Sequence, residues 1–130
     1  MKMEIVFTGN RKVEARFKEF VVQTDQPAAS GGENSAPTPF ELFLASLGTC
    51  AGIYVKGFCL QRGISTDNMR IVQTAERDPQ GLLGKIQLQI QVPRDFPEKY
   101  KSALVNAANL CTVKRVMQQP PKFEIVVGTI

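Results

Sequence analysis

From residue 39 to residue 62 the chain carries only three charged side chains, Glu41, Lys56 and Arg62, whereas 22% of all its residues are charged. Thr38-Pro39-Phe40-Glu41 gives this run a sharp beginning. Threonine caps a helix, proline suits the first helical position, and a glutamate three residues after the threonine completes a capping box. Gly63 supplies the stop. The predicted helix of roughly 24 residues is about 36 Å long at 1.5 Å per residue. A helix apolar nearly all round must be covered on most faces. One small sheet cannot cover it, so a second helix or a second subunit is expected over its far side. The uncharged stretch over residues 42–55 is fourteen residues, short of the ~20 that a bilayer span needs. A core helix is therefore expected, and no membrane span.

The flanking segments read as β structure. Residues 3–8 are strand-like, and Gly9-Asn10 both tolerate the positive φ of a tight turn. Residues 12–18 alternate polar and apolar side chains with period two, and residues 20–24 continue the sheet. The loop over 25–37, rich in Ser, Gly, Asn and Pro, is longer than a simple connection needs. Beyond the long helix, residues 68–77 and 82–92 are predicted strands joined by Asp78-Pro-Gln-Gly81. The second sets Ile86, Leu88, Ile90 and Val92 against Lys85, Gln87, Gln89 and Gln91. A helix starting near Pro97, a short helix after Leu110 and a closing strand over 123–127 complete the order. The class is α+β, in one domain of 130 residues.

The chain has no histidine, which removes Ser-His-Asp hydrolysis, Cys-His thiol proteolysis and His-ligated zinc. Its three cysteines form no CxxC pair and are too few for a disulfide framework. No metal and no bound cofactor are expected. The net charge of +4 is spread without a basic run, so no nucleic-acid partner is expected. The N-terminus lacks the apolar core of a signal peptide, and a cytoplasmic protein with reduced thiols follows as the expectation.

Thiol chemistry is what remains. Cys50 lies inside the long helix, with Phe43, Leu47, Tyr54 and Gly57 on the same face. Burial there raises a thiol pKa unless a cation or a hydrogen-bond donor stabilises the thiolate, so Cys50 reads either as structural or as a reactive thiol with such help. Cys111 follows Asn109, a candidate N-cap for the short helix. There, free backbone amides and the charges of Lys114 and Arg115 favour an anion. Cys59, about 180° around the helix from Cys50, reads as structural. Ala45, Gly48 and Gly52 admit close approach, either of another element of the same chain or, slightly preferred, of a helix from a second copy.

Residues 37–50, Pro-Thr-Pro-Phe-Glu-Leu-Phe-Leu-Ala-Ser-Leu-Gly-Thr-Cys, together with Ala107-Ala-Asn-Leu-Cys111-Thr-Val, resemble the OsmC/Ohr family over essentially the whole chain. The resemblance implies an intertwined homodimer, with antiparallel sheets wrapped around long central helices. It also implies thiol-dependent reduction of organic hydroperoxides. Cys50 would be the peroxidatic cysteine and Cys111 the resolving one, recycled by an external dithiol of dihydrolipoyl type. Phe40, Phe43, Leu47 and Tyr54 would form a pocket for a small hydrophobic peroxide. Peroxidases of the family add an arginine from the N-terminal β region and a glutamate near the helix start. Here Arg11 and Arg16 are the arginine candidates. Phe40 stands at the usual glutamate position, with Glu41 beside it but about 180° from Cys50. Thr112-Val-Lys-Arg also replaces the Cys-Pro start that is common in the family. These departures resemble its less characterised branch and leave a second reading open: a non-enzymatic dimer that binds a small apolar or thiol-bearing ligand as carrier or redox sensor.

Overall fold

Gly9 and Asn10 make the expected turn, with φ of 131° and 48°, and fold β1 (Glu4–Gly9) back onto β2 (Lys12–Phe17). Phe17 opposite Phe20 continues the antiparallel sheet into β3 (Phe20–Thr24), in the order β1-β2-β3. The computed structural model describes residues 1–130 and divides them into two compact units, Met1–Ala45 and Ser46–Ile130.

In the first unit the loop after β3 is built around one carboxylate. Asp25 is fully buried. Its Oδ1 accepts from the Gln26 amide at 2.7 Å, and its Oδ2 accepts from the Ser35 amide at 3.0 Å and the Ser35 hydroxyl at 2.6 Å. The Glu33 amide adds a longer bond of 3.3 Å to Oδ2. A buried carboxylate is costly unless it is hydrogen-bonded, and here the loop closes around it. The loop is also tied to the β1–β2 turn by Asn10 Nδ2 donating to the Gly31 carbonyl and by a Lys12–Glu33 ion pair.

The long helix α1 (Pro39–Gln61) begins with the capping box read from the sequence. The Thr38 amide donates to Glu41 Oε2 at 2.8 Å, and the Glu41 amide donates to Thr38 Oγ1 at 3.2 Å. The helix ends where Gly63 adopts φ of 64° and the Ile64 amide returns to the Cys59 carbonyl.

In the second unit, β4 (Arg70–Arg77) and β5 (Leu83–Gln91) form an antiparallel pair. A single turn over Glu98–Tyr100 leads into α2 (Lys101–Ala108), and α3 (Thr112–Gln118) follows. One stripe of α1 meets these elements. Val55, Phe58 and Cys59 are buried with Phe96 and Leu104, and Ile71, Ile90 and Ala107 pack around them. By length and composition alone α1 could cross a membrane, with a mean hydropathy of 1.5 over its most apolar window. Its buried stripe packs as a core helix does.

Three expectations are corrected. Residues 123–127 form no strand: neither sheet includes them, and Phe123, Ile125, Val126 and Val127 stand exposed. A Cβ on Gly48 would come within 2.8 Å of Gln73 Oε1, and one on Gly52 would touch Ile71. Those two glycines therefore admit β4, not a second helix. Asn109 is the C-cap of α2 and not the N-cap of α3.

Asp25 gives the first unit a specific acid sensitivity. Its hydrogen bonds, those of Ser35 foremost, lower its pKa to about 2, against ~3.9 in an unfolded chain. A depressed carboxyl contributes stability that is fully present above the unfolded value and is lost as pH falls through the folded one. Asp25→Asn is expected to unfold at lower temperature than wild type at neutral pH, with the gap closing between about pH 4 and pH 2. Thermal melts of both proteins across that range check it.

Candidate functional site

Cys50 and Cys111 are brought together in the second unit. Cys50 is half-buried on α1, and Cys111 is buried, 2% exposed, at the junction of α2 and α3. The junction forms because α2 runs out at Asn109, with the Leu110 and Cys111 amides still bonded back to Ala107 and Ala108. Cys111 then leaves helical geometry, at φ −45° and ψ 118°, and becomes the N-cap of α3. Its sulfur accepts from the Lys114 amide at 3.5 Å, the role a Ser or Asp oxygen fills more often. Its thiol donates to the Leu47 carbonyl of α1 at 3.8 Å.

This arrangement points the start of α3 at Cys50. The backbone amides of Val113 and Thr112 and the Cys111 side chain are directed at the Cys50 sulfur. They hold its pKa below the ordinary thiol value against the opposing effect of burial, and Val113 contributes most. No charged side chain is among those causes. Lys114 and Arg115, the charges expected beside Cys111, are not among the causes at Cys50 either. The Lys114 ammonium is held instead by Asn109 Oδ1 at 2.6 Å. Cys59 behaves oppositely, since burial pushes its thiol up. Its structural reading fits its complete burial in the core.

The remaining candidate residues divide by unit. Leu47 and Tyr54 belong with the cysteines: the Leu47 carbonyl receives the Cys111 thiol, and the Tyr54 hydroxyl lies 3.2 Å from Thr112 Oγ1. Phe40, Glu41, Phe43, Arg11 and Arg16 lie in the first unit. Phe40 and Phe43 stack on each other at 5.8 Å, and Glu41 is engaged in the helix cap. Arg16 directs Nε and Nη2 at Glu14 Oε2. Arg11 lies along Gly31 of the Asp25 loop.

A cleft of about 750 Å³ opens in the second unit between β5, α2 and α3. Leu47, Ile71, Leu88 and Val105 make apolar wall, and Cys111 and Lys114 also line it. Of the four expected pocket residues only Leu47 is part of this cleft. The amides of Thr112 and Val113 are functional groups that residue identity cannot reveal, because every residue but proline carries one. The signal available was indirect: a cysteine in the last residue before a helix can cap it and so face another thiol.

Fold and site define a class: an α+β protein with antiparallel sheets, three helices and a thiol pair lodged between a long apolar helix and a short one. The sequence model of the OsmC-like protein family matches residues 32–126, and the chain belongs to that family. Solved structures share the fold at low identity. The OsmC like protein from Mycoplasma pneumoniae superposes with a TM-score of 0.70 at 15% identity, covering 92% of this chain and 87% of its own. An organic hydroperoxide resistance protein from Elizabethkingia anophelis, with thiocyanate bound, gives 0.62 at 16%, covering 92% and 90%. The organic hydroperoxide resistance protein OhrB of Bacillus subtilis gives 0.52 at 22%, covering 89% and 90%. No curated protein matches the sequence.

The site makes the three thiols unequal. In the reduced protein at neutral pH, iodoacetamide should modify Cys50 well before Cys59. The pH midpoint for Cys50 should fall below the ~8.5 of a free cysteine. Peptide mass mapping after timed quenching reads both.

Proposed function

We propose that the chain is a thiol-dependent peroxidase acting on organic hydroperoxides. The observation that carries this reading is the placement of Cys50, half-buried on α1, against Cys111 and the start of α3, whose amides lower its pKa without any ion pair. Family membership and the hydroperoxide-resistance proteins that share the fold support the substrate class.

In the proposed cycle the Cys50 thiolate attacks the outer oxygen of the hydroperoxide. The O–O bond breaks, Cys50 becomes a sulfenic acid, and the departing alkoxide takes a proton to leave as the alcohol. The Cys111 sulfur then attacks the sulfenic sulfur, water leaves, and a Cys50–Cys111 disulfide forms. An external dithiol, of dihydrolipoyl type, reduces that disulfide by two exchange steps and is itself oxidised. The nearness of the Cys111 side chain to Cys50 supports the second step, because the resolving group already stands beside its target. The three cysteines are free in the structure, which suits a reducing compartment such as the cytoplasm.

A homodimer belongs to the same reading. Ile53 and Leu60 of α1 are exposed, 71% and 66%. So are Ile5, Phe7, Phe20 and Val21 in the first unit and the tail over residues 123–127. Apolar surface on this scale marks a face that another protein surface covers. Sedimentation equilibrium is expected to give twice the chain mass, and Leu60→Lys is expected to shift the protein toward the monomer. A wild-type monomer at micromolar concentration would rule the dimer out.

The second reading, a ligand-binding protein without turnover, draws on the cleft beside Cys111. Turnover separates the two. With a dithiol reductant, wild type is expected to consume an organic hydroperoxide faster than hydrogen peroxide, and Cys50→Ser is expected to consume neither. Cys111→Ser should complete one oxidation and then accumulate sulfinic Cys50, visible by mass spectrometry. Equal rates in wild type and Cys50→Ser would dispose of the peroxidase. Ligand protection of Cys50 from alkylation without peroxide loss would favour the binding protein.

A further inference from the structure

The amides that hold Cys50 belong to a helix with little to hold it. α3 spans seven residues and buries none of them, and Val116 and Met117 are 50% and 44% exposed. Val113 alone of its apolar side chains is half-buried, so packing holds it weakly, and two polar contacts tie it to α1. One is the Cys111 thiol on the Leu47 carbonyl at 3.8 Å, a weak donor at long range. The other is Tyr54, one turn beyond Cys50 on the same face of α1, whose hydroxyl meets Thr112 Oγ1 at 3.2 Å. Thr112 is the first residue of α3, so this contact acts on the very peptide units that face the Cys50 sulfur.

We propose that Tyr54 and Thr112 form a positioning pair, which clamps the first turn of α3 against α1 and thereby sets the reactivity of Cys50. Neither side chain touches the reacting atoms. Hydrogen-bond strength falls steeply with misalignment, so a small swing of a weakly packed turn is enough to weaken the hold of the Val113 and Thr112 amides on the Cys50 sulfur. Cys50 then reacts more slowly without any change to the sulfur itself.

The groups around the pair do not offer a competing explanation. Cys111 is the titratable group at the α2–α3 junction, and it stays in place in the variants below. The Lys114 ammonium is held by Asn109, and Lys56 on α1 is held by Thr66 Oγ1 at 2.7 Å. From β4, the neighbour facing α1 at Gly48 is the uncharged Gln73. Lys85 of β5 lines the cleft. The inference deepens the proposed peroxidase by naming what tunes its nucleophile, and it rests on Cys50 being the reactive thiol. It needs no peroxide to be tested.

The experiment is the pH dependence of Cys50 alkylation by iodoacetamide in the reduced full-length protein, read on the Cys50 peptide. Wild type is compared with Tyr54→Phe, Thr112→Val, Thr112→Ser and the double variant Tyr54→Phe/Thr112→Val. Tyr54→Phe and Thr112→Val should each move the midpoint upward. Alkylation at pH 7 should slow roughly threefold or more, since the thiolate fraction drops about tenfold for each unit that a thiol pKa rises. The double variant should match the single ones, because one contact can be lost only once. Thr112→Ser, which keeps the hydroxyl, should behave as wild type. Melting temperatures confirm that each variant is folded, and the Thr112 variants keep the test open if Tyr54→Phe is not. Unmoved midpoints in folded variants would overturn the pair, as would a shift in one single variant only or a double-variant shift equal to the sum of the two. If wild type turns over no peroxide, the peroxidase reading falls, while this alkylation series still decides the pair.

Discussion

Leu47, Ala51, Val55, Phe58 and Cys59 fall on one stripe of α1, and all five are buried. Burying a Val, Leu or Phe side chain contributes about 1.5–3 kcal/mol, against about 1 for a neutral hydrogen bond. The stripe therefore sets how α1 lies on β4, β5 and α2, and the polar site follows from that placement. With Val55, Phe58 and Cys59 in the core, Leu47 and Cys50 are carried to the α2–α3 junction. Gly48 and Gly52 make the approach of β4 possible. A side chain at Gly48 would meet Gln73 Oε1 at 2.8 Å and push the Gln73 side chain aside.

At the junction the chain uses a cysteine where a helix ordinarily has an oxygen. Cys111 caps α3 with its sulfur and donates its proton to Leu47, so its structural task and its proposed resolving task occupy the same atom. The site lowers Cys50 by neutral groups alone. Backbone amides stabilise a thiolate without the desolvation cost of burying a second charge. They also make the thiol depend on where α3 sits, which a long-range charge would do less.

Asp25 plays a comparable part in the first unit. One buried carboxylate collects amides of Gln26, Glu33 and Ser35 and the Ser35 hydroxyl, and a segment with little apolar content becomes an ordered loop. Its Ser, Gly and Asn content marked it as a loop. Only the fold shows that Asp25 lies at its centre, because the four donors are brought around it by chain closure and not by spacing.

The sequence by itself determined the elements whose cause is local. The Gly9-Asn10 hairpin, the Thr38–Glu41 capping box, the stop at Gly63 and the alternation of β5 each rest on neighbours within a few residues. The two motifs around Cys50 and Cys111 also sufficed for the family and the α+β class. The tertiary structure alone decided the rest, wherever the partner lies far along the chain. It made Cys111 and not Asn109 the cap of α3, because Asn109 is taken up as the C-cap of α2. It turned the amides of Thr112 and Val113 toward a thiol some sixty residues away in the chain, which side-chain identity cannot encode. It left residues 123–127 without a strand, since β propensity forms no ladder until another backbone is there to pair with it.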